Sequence, residues 1–373
     1  MSTPPPAVRA DPGAPALDAP RAVRRGDELD VGALAPWVAR AVPELADLHA
    51  ADLVVEQFGD GFSNLTYLLR AGPREVVLRR PPRGVTQGSA HDVLREHRLL
   101  VALHPTYGRV PRPVAACDDE TVIGAPFYLM ERVRGVILRG RPGEATPDAP
   151  TLAALGATFV REMAAVHATD WRAAGLPAGV GGDYVERQVG GWSRRWAAAR
   201  TGDVPSVERA ATWLAAHRPP QRERALVHND FKYDNMVLDP DDLTRVRAVL
   251  DWEMATVGDP LMDLGSSLGY WLEPDDPPAL RALGLGLTAA PGSPGRAALV
   301  DAYGRATGRD VSDAVFHFVY GVFKLAVVAQ QIYARHVRGL TSDPRFAQLD
   351  AVVAALGTMA DRAVTLGRID RLA

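Results

Sequence analysis

Cysteine and lysine are almost missing from this sequence. Its single cysteine, Cys117, excludes a disulfide within the chain and any site built from several thiolates. Of 42 basic residues only Lys232 and Lys324 are lysine; all others are arginine. Together with the abundance of Ala, Gly and Pro, this reads as coding bias. A lysine kept against that bias points to a place where the broad, planar head of arginine would not serve. No uninterrupted run of 18 apolar residues occurs, so no membrane span is expected. The first 26 residues hold no continuous apolar stretch, so a secretory signal is not expected and a cytoplasmic protein is. Neither sign of charge is in excess: 42 basic and 45 acidic residues leave a net charge of −3, which argues against nucleic acid as a partner.

What is present is ordinary globular composition, with 373 residues, 47% of them apolar and 23% charged. That length suffices for two lobes with a cleft between them. Residues 1–26 contain six prolines among Ala and Arg and are predicted to be a disordered tail. Leu53–Phe58, Leu65–Arg70 and Glu75–Arg80 read as strands, separated by Gly59 and Gly61 and by Ala71-Gly72-Pro73. Ser89–Leu103 reads as a helix capped near Ser89, and two further strands are predicted around Val114–Cys117 and Pro126–Val133. Beyond Gly135 the pattern is helical, interrupted by short apolar strands at Ala225–Val227, Met236–Leu238 and Val246–Leu250. The expectation is an α+β chain in two lobes: a small β-rich N-lobe over 27–134 and a larger α-helical C-lobe over 135–373.

The densest chemistry lies in His228-Asn229-Asp230-Phe231-Lys232-Tyr233-Asp234-Asn235, an HxDxKxxN string between two apolar strands. Asp251 ends the next apolar strand, 16 residues after Asn235. Phosphoryl transfer needs a carboxylate to orient the acceptor hydroxyl, oxygen ligands for Mg²⁺, and a cation near the moving phosphoryl group. Asp230, then Asn235 with Asp251, then Lys232 offer those roles. In the N-lobe, Phe58-Gly59-Asp60-Gly61-Phe62-Ser63-Asn64 lies between strands, where glycines let a backbone approach phosphates. Arg79 sits one strand later. In the following helix Glu96 shares a face with Val93, Leu100 and Leu103, which is costly for a carboxylate without a partner, and Arg79 is the candidate partner. Asp259 and Pro260 suit a helix N-cap and first turn. His167 reads as a packed structural histidine.

The acceptor side is thinner. In the helix predicted over Ser312–Val337, His317, Lys324, Gln331 and Arg335 fall within about 40° of one another. That stripe is either a solvated face or a basic wall beside an anionic acceptor, with His317, Lys324 and Arg335 as its candidates.

These motifs, written GxGxSNLTY, VLRRPP, LMERVRG, HxDxKxxN and DWExxxxGDPxxDL, carry a resemblance that covers roughly Leu53 to Ala373. On them the chain resembles the aminoglycoside phosphotransferase-like branch of the protein-kinase-like fold, and within it the phosphotransferase domains found beside or fused to acyl-CoA dehydrogenases. The resemblance implies ATP and Mg²⁺. It implies a glycine loop with Gly59, Gly61, Ser63 and Asn64, an adenine-binding hinge at Glu131–Val133, and phosphate contact by Arg79 where relatives of the kinase type carry lysine. It places His228 and Asp230 in the catalytic loop, with Asp263 bracing that loop through His228. Trp252-Glu253 after the metal aspartate departs from the kinase Phe-Gly, so a flipping switch there is not expected. The function implied is an ATP-dependent small-molecule kinase acting on a hydroxyl, with a hydroxy-acid or hydroxyacyl-CoA suggested as acceptor. Two alternatives stay open. An aminoglycoside kinase would favour an acidic pocket for its polycationic substrate, whereas from Ala255 onward 12 acidic and 11 basic residues form no acidic cluster. A non-catalytic nucleotide-binding module would be expected to have lost Asp230, Asn235 or Asp251. The oligomeric state is not indicated.

Overall fold

The computed structural model describes residues 17–59, 64–82, 92–140, 144–179, 182–283, 286–341 and 343–372. The N-lobe is a five-stranded antiparallel sheet of β1 (Val54–Phe58), β2 (Leu65–Ala71), β3 (Arg74–Arg80), β4 (Pro113–Cys117) and β5 (Phe127–Glu131), in the order β1-β2-β3-β5-β4. Successive side chains of a strand point to opposite faces, and here both faces are covered. Tyr67, Leu69, Val76, Leu78, Phe127 and Leu129 pack against Leu34, Ala35 and Val38 of helix α1 (Val31–Ala41). Leu68, Val77, Tyr128 and Met130 meet Val93, Leu100 and Leu103 of α2 (Val93–Leu103). Double coverage is why β2 and β3 are apolar runs rather than alternating strands. Helix α1 leaves little trace in the sequence because Pro36 lies inside it.

Two sequence expectations are corrected. Residues 17–26, assigned to a disordered tail, are laid against the N-lobe: Arg21 and Gln57 exchange two backbone hydrogen bonds of 2.8 Å, covering the open edge of β1. The amide of Asp18 donates to the carbonyl of Gly135 at 3.0 Å. Residues 1–16 lie outside the described residues. Helix α2 is capped by Asp92, whose carboxylate accepts from the Arg95 amide, and starts at Val93; Ser89 lies outside the described residues.

The chain crosses to the C-lobe at Gly135–Val136. Val136 and Leu238 exchange backbone bonds of 2.9 and 2.8 Å, and a Cβ on Gly135 would stand 2.4 Å from the Leu238 carbonyl oxygen, so only glycine passes there. The C-lobe holds α3 (Ala149–Ala168), α4 (Tyr184–Ala199), α5 (Pro205–Ala216), the strand β6 (Ala225–Val227), β7 (Met236–Leu238), β8 (Val246–Val249), β9 (Thr256–Gly258), then α6 (Pro260–Gly269), α7 (Arg296–Thr307), α8 (Ala314–Val337) and α9 (Leu349–Leu366). β6 pairs with β9 and β7 with β8, both antiparallel. These two ribbons display the HxDxKxxN string and Asp251 toward the N-lobe.

Helix α8 is long and apolar enough by composition to cross a membrane, but 78% of its most apolar window is buried inside the protein, where it packs on α4, α5, α6 and α9. Its crossing with α6 is close. A Cβ on Gly265 would stand 2.2 Å from the His317 carbonyl oxygen, and a Cβ on Gly321 would stand 1.8 Å from that of Gly265. The two backbones therefore touch, and every side chain between these helices is held at fixed depth.

Gly321→Ala is expected to force the helices apart and lower the thermal midpoint by several degrees, since overpacking a full core costs about 1–3 kcal/mol or more. Gly202→Ala, whose Cβ would meet nothing within 4 Å, serves as the control and should leave the midpoint unchanged. Equal midpoints for the two variants in calorimetry would show that the helices are not in backbone contact.

Candidate active site

The catalytic-loop string leaves β6 and turns at once on a buried carboxylate. Asp263, in the first turn of α6, accepts from the backbone amides of His228 and Asn229, each at 2.7 Å. Its outer oxygen also meets His167 Nε2 at 3.0 Å, while His167 Nδ1 faces the Tyr303 hydroxyl at 2.6 Å. Burial alone would raise the Asp263 pKa; the His167 ring and the loop amides outweigh it and hold the group below the usual carboxylate range. The bracing of the loop by Asp263 through His228, which the resemblance implied, runs through the His228 backbone amide, and the ring partner of Asp263 is His167. Sequence periodicity shows only that His167 is buried, not what it faces.

Asn229 adopts the left-handed conformation, φ 65°. Each of its polar groups is engaged by a different element. Its side-chain oxygen accepts from the Tyr184 hydroxyl of α4 at 3.0 Å, its amide nitrogen donates to the Met254 carbonyl at 3.1 Å, and its own carbonyl accepts from Lys324 of α8. The His228 ring is fully buried against Trp252 and spends both nitrogens on backbone, Nε2 facing the Leu250 carbonyl at 2.9 Å and Nδ1 accepting from the Asp230 amide at 3.3 Å. It shapes the loop from below rather than reaching a substrate.

Asp230 emerges from this support. Lys232 Nζ donates to its Oδ2 at 2.8 Å, and the Asn235 carboxamide nitrogen donates to its backbone carbonyl at 2.8 Å and to Oδ2 at 3.2 Å. Burial would raise the Asp230 pKa; Lys232 first, then Lys324 and His228, overcome it and keep the carboxylate ionised. Burial would likewise discharge Lys232, but Asp230 holds the ammonium well above its ordinary range. Lys232 also stands 4.7 Å from the centre of the Tyr270 ring. Beside this pair opens a pocket of about 340 Å³, open solvent included, lined by Lys232, Asp234, Tyr270 and Ser267 near the loop and by Arg139 and Thr288 on its far side.

On the opposite flank, Asp251 follows β8 in the left-handed conformation, φ 66°. Arg79 of β3 reaches across the cleft to it, and contacts Glu253 Oε2 at 3.1 Å and Glu96 Oε2 at 3.1 Å. The Glu96 contact is an ion pair without hydrogen-bond alignment, both atoms being buried and otherwise unpartnered. Burial first, opposed by Arg79 and reinforced by Asp251, raises the Glu96 pKa to about 7. Its other oxygen accepts from the Trp252 amide at 3.1 Å. Trp252 is completely buried and its indole donates to the Val249 carbonyl at 2.9 Å, so this segment is a fixed plug. Asn64, buried at the head of β2, donates to Glu253 at 2.7 Å. Arg95 of α2 ties the same segment through the Glu253 carbonyl at 2.9 Å. Glu253, Arg95 and Tyr270 thus join the site without having been assigned to it; their sequence signal was only adjacency to a motif.

The remaining candidates divide. Gly59 ends β1, and its carbonyl accepts from Arg24 at 2.6 Å; Gly61 and Ser63 lie outside the described residues. Glu131 closes β5, and Val133 packs with Ile137, Val237, Ala248 and Leu250 beneath the lobe junction. The basic wall on α8 is not formed. Arg335 is exposed at the far end of the helix, His317 is buried against α6, and Lys324 is buried under the catalytic loop, so the three do not share a surface. The helical angle was right, but the bundle covers both sides of α8, and a stripe on a covered helix does not line a cavity.

Burial drives the His317 pKa down to about 3, so the folded protein keeps this imidazole neutral while the unfolded chain protonates it below about 6.5. The unfolded state then binds the extra proton, and stability falls as pH falls through that window. His317→Leu should lose about 2 kcal/mol less than wild type between pH 6.5 and 5, measured by urea unfolding. Parallel pH dependences would show that the imidazole is not held neutral.

The phosphotransferase enzyme family matches residues 54–300 of this chain. Acyl-CoA dehydrogenase family member 11 of Gallus gallus is 35% identical over 332 residues, covering 86% of this chain and 41% of its own length, so the chain spans well under half of that relative. A presumed aminoglycoside phosphotransferase from Ralstonia eutropha, of solved structure, is 30% identical with a TM-score of 0.70, covering 88% of this chain and 96% of that one. A thermostable mutant of an aminoglycoside phosphotransferase, in ternary complex with AMP-PNP and hygromycin B, shares the fold at 19% identity and a TM-score of 0.52, over 82% of this chain and 94% of its own. With a two-lobed kinase-like architecture and a family match over most of its length, the chain belongs to the phosphotransferase enzyme family.

Proposed function

We propose that the protein transfers the γ-phosphoryl group of ATP to a hydroxyl of a small molecule. The observation that supports this most is the Asp230–Lys232 pair, whose lysine lines the pocket: an ionised carboxylate and a retained ammonium, 2.8 Å apart, on a loop braced by Asp263. Family membership supports the reaction class, and the AMP-PNP complex of a structural neighbour supports ATP as donor.

The donor set suits Mg²⁺. Asn235 commits its nitrogen to Asp230, which leaves its carboxamide oxygen for a cation, and Asp251 offers a carboxylate on the same lobe, next to Leu250, whose amide donates to the Asn235 backbone carbonyl at 2.8 Å. No group of three or more His, Cys, Asp or Glu among the described residues could hold a metal by itself. Two protein oxygens suit an ion that keeps water and takes its other ligands from phosphates. When bound, Mg²⁺ would neutralise phosphate charge. The residues of the chain do the rest. Asp230 accepts a hydrogen bond from the acceptor hydroxyl and takes its proton as the oxygen attacks the γ-phosphorus. The bond from that phosphorus to the β-bridging oxygen breaks, and ADP leaves with its electron pair. Lys232 lies close enough to Asp230 to neutralise the equatorial oxygens as charge builds on them. Arg79, now neutralising Asp251 and Glu253, is placed to exchange one of these for an α- or β-phosphate.

For the acceptor we infer an uncharged or anionic hydroxyl compound, such as a hydroxy-acid or a hydroxyacyl thioester. Apolar walls from Leu138, Phe159, Trp271 and Leu287 line the pocket, and its two cations are already paired, Lys232 with Asp230 at 2.8 Å and Arg139 with Asp18 at 2.9 Å, so apolar area and not net charge supports an acyl-bearing acceptor. The relation to an acyl-CoA dehydrogenase family protein favours the thioester. A purely nucleotide-binding role is disfavoured by the retention of Asp230, Asn235 and Asp251.

ADP release measured across hydroxy-acids, hydroxyacyl-CoAs and aminoglycosides is expected to give turnover with the first two classes; turnover with aminoglycosides alone would overturn the acceptor assignment. Asp230→Ala should lower kcat by about 10²-fold while the KM for ATP holds, as for loss of a general base. Full turnover by that variant would remove Asp230 from the chemistry. Asp251→Ala should abolish Mg²⁺-dependent ATP binding in calorimetry, and unchanged binding would exclude it as a ligand.

A further inference from the structure

Lys324 has no place in the chemistry above, yet it is one of two lysines in the chain and lies buried at 3% exposure in the middle of α8. Its ammonium has three hydrogens to place. It donates to the Asn229 backbone carbonyl, stands 3.3 Å from the Ser266 hydroxyl of α6, and lies 5.6 Å from the centre of the Trp192 ring of α4. We propose that Lys324 is a positioning residue: its ammonium clamps the Asn229 carbonyl from beneath and so fixes the direction in which the next residue, Asp230, presents its carboxylate. The inference rests on Asp230 being the hydroxyl-orienting group.

Three observations carry it. The peptide that Lys324 holds is the one linking Asn229 to Asp230, and it follows a residue in the left-handed region, a conformation that asparagine accepts at modest cost and that turns this peptide toward α8. The other polar groups of Asn229 are held by Asp263, Tyr184 and Met254, so Lys324 completes the set, and it is the only cation in it. The space is also fixed, because the glycine crossing of α6 and α8 sets how far the Lys324 head can rise. A slender ammonium fits there, and a guanidinium that needs a planar fork of partners does not. This explains a lysine in a chain that otherwise uses arginine.

The electrostatics agree with the geometry. Burial depresses the Lys324 pKa to about 8, opposed by the negative charges of Asp230 and Asp263 and aided by the positive charges of Lys232 and Arg195, which face it from the loop and from α4. Loss of the Asp230 charge should therefore depress it further.

Two measurements test the proposal. First, Lys324→Met keeps the stem and removes the ammonium. It should lower kcat by about 10²-fold, the scale of a 1 Å misplacement of a catalytic group, with the KM for ATP within about twofold of wild type. Wild-type kcat in a folded Lys324→Met protein would overturn the proposal, because packing alone would then account for the residue. Second, [ε-¹³C]lysine labelling gives only two side-chain signals in this chain, so Lys324 can be titrated directly by NMR. Its midpoint should lie well below that of an ordinary lysine and should fall again in Asp230→Asn. A midpoint near the ordinary value of about 10.4, or one that ignores Asp230→Asn, would overturn it. This second measurement uses wild type and Asp230→Asn and stands even if Lys324→Met does not fold. Wild type without turnover on any hydroxyl acceptor would instead defeat the phosphotransfer reading, while the titration would still decide whether Lys324 senses Asp230.

Discussion

The Asp263 carboxylate is buried completely beneath the catalytic loop, where it accepts from two successive backbone amides and from the His167 ring. An unpaired charge at that depth would be prohibitively costly. Once paired, it fixes the start of the loop against the first turn of α6, where a negative group also faces the positive end of the helix. The left-handed turn at Asn229 and the buried His228 ring sit directly on that anchor. Helix α6 is itself immobilised by its glycine contact with α8. The chemistry of the loop is thus referred to the deepest part of the C-lobe and not to its surface.

Charge is distributed unevenly across the cleft. On one flank three carboxylates, Glu96, Asp251 and Glu253, converge on a single guanidinium, Arg79. Net negative charge in a desolvated place invites a cation, and the raised pKa of Glu96 expresses the same imbalance. On the other flank Asp230 is overcompensated by Lys232 and Lys324 and stays ionised. The two flanks thus differ in their balance of charge. Arg79 links the N-lobe sheet to the segment that carries Asp251.

Much of this was legible before folding. Short-range chemistry survives in one dimension: the strand-loop-strand setting of His228 to Asn235, the strand that delivers Asp251, and the Pro260 turn capped by Asp259 are all local, and the structure has them. The pairing of Arg79 with Glu96 was legible too, because a carboxylate inside an apolar stripe demands a nearby cation. The cap of α2, the ordering of residues 17–26 and helix α1 were misread or missed. The cap of α2 is a local contact that Asp92 makes in place of Ser89; the placing of residues 17–26 depends on contacts remote in sequence, and α1 carries an internal proline.

The stripe on α8 marks the limit. Spacing correctly puts His317, Lys324 and Arg335 on one side of a helix, but it cannot say what lies against that side. Helix α6 covers His317, the catalytic loop takes Lys324, and the helix end leaves Arg335 in solvent. The pocket beside Lys232 was equally invisible, since Arg139, Asp234, Tyr270 and Thr288 come from four separated stretches of chain. The sequence by itself determined the family and the spacing of His228, Asp230, Lys232, Asn235 and Asp251, because those residues lie in short local motifs. Only the tertiary structure decided which buried groups support the loop and where a pocket opens beside Lys232, because burial and direction arise from packing between elements whose separation along the chain carries no periodic signal.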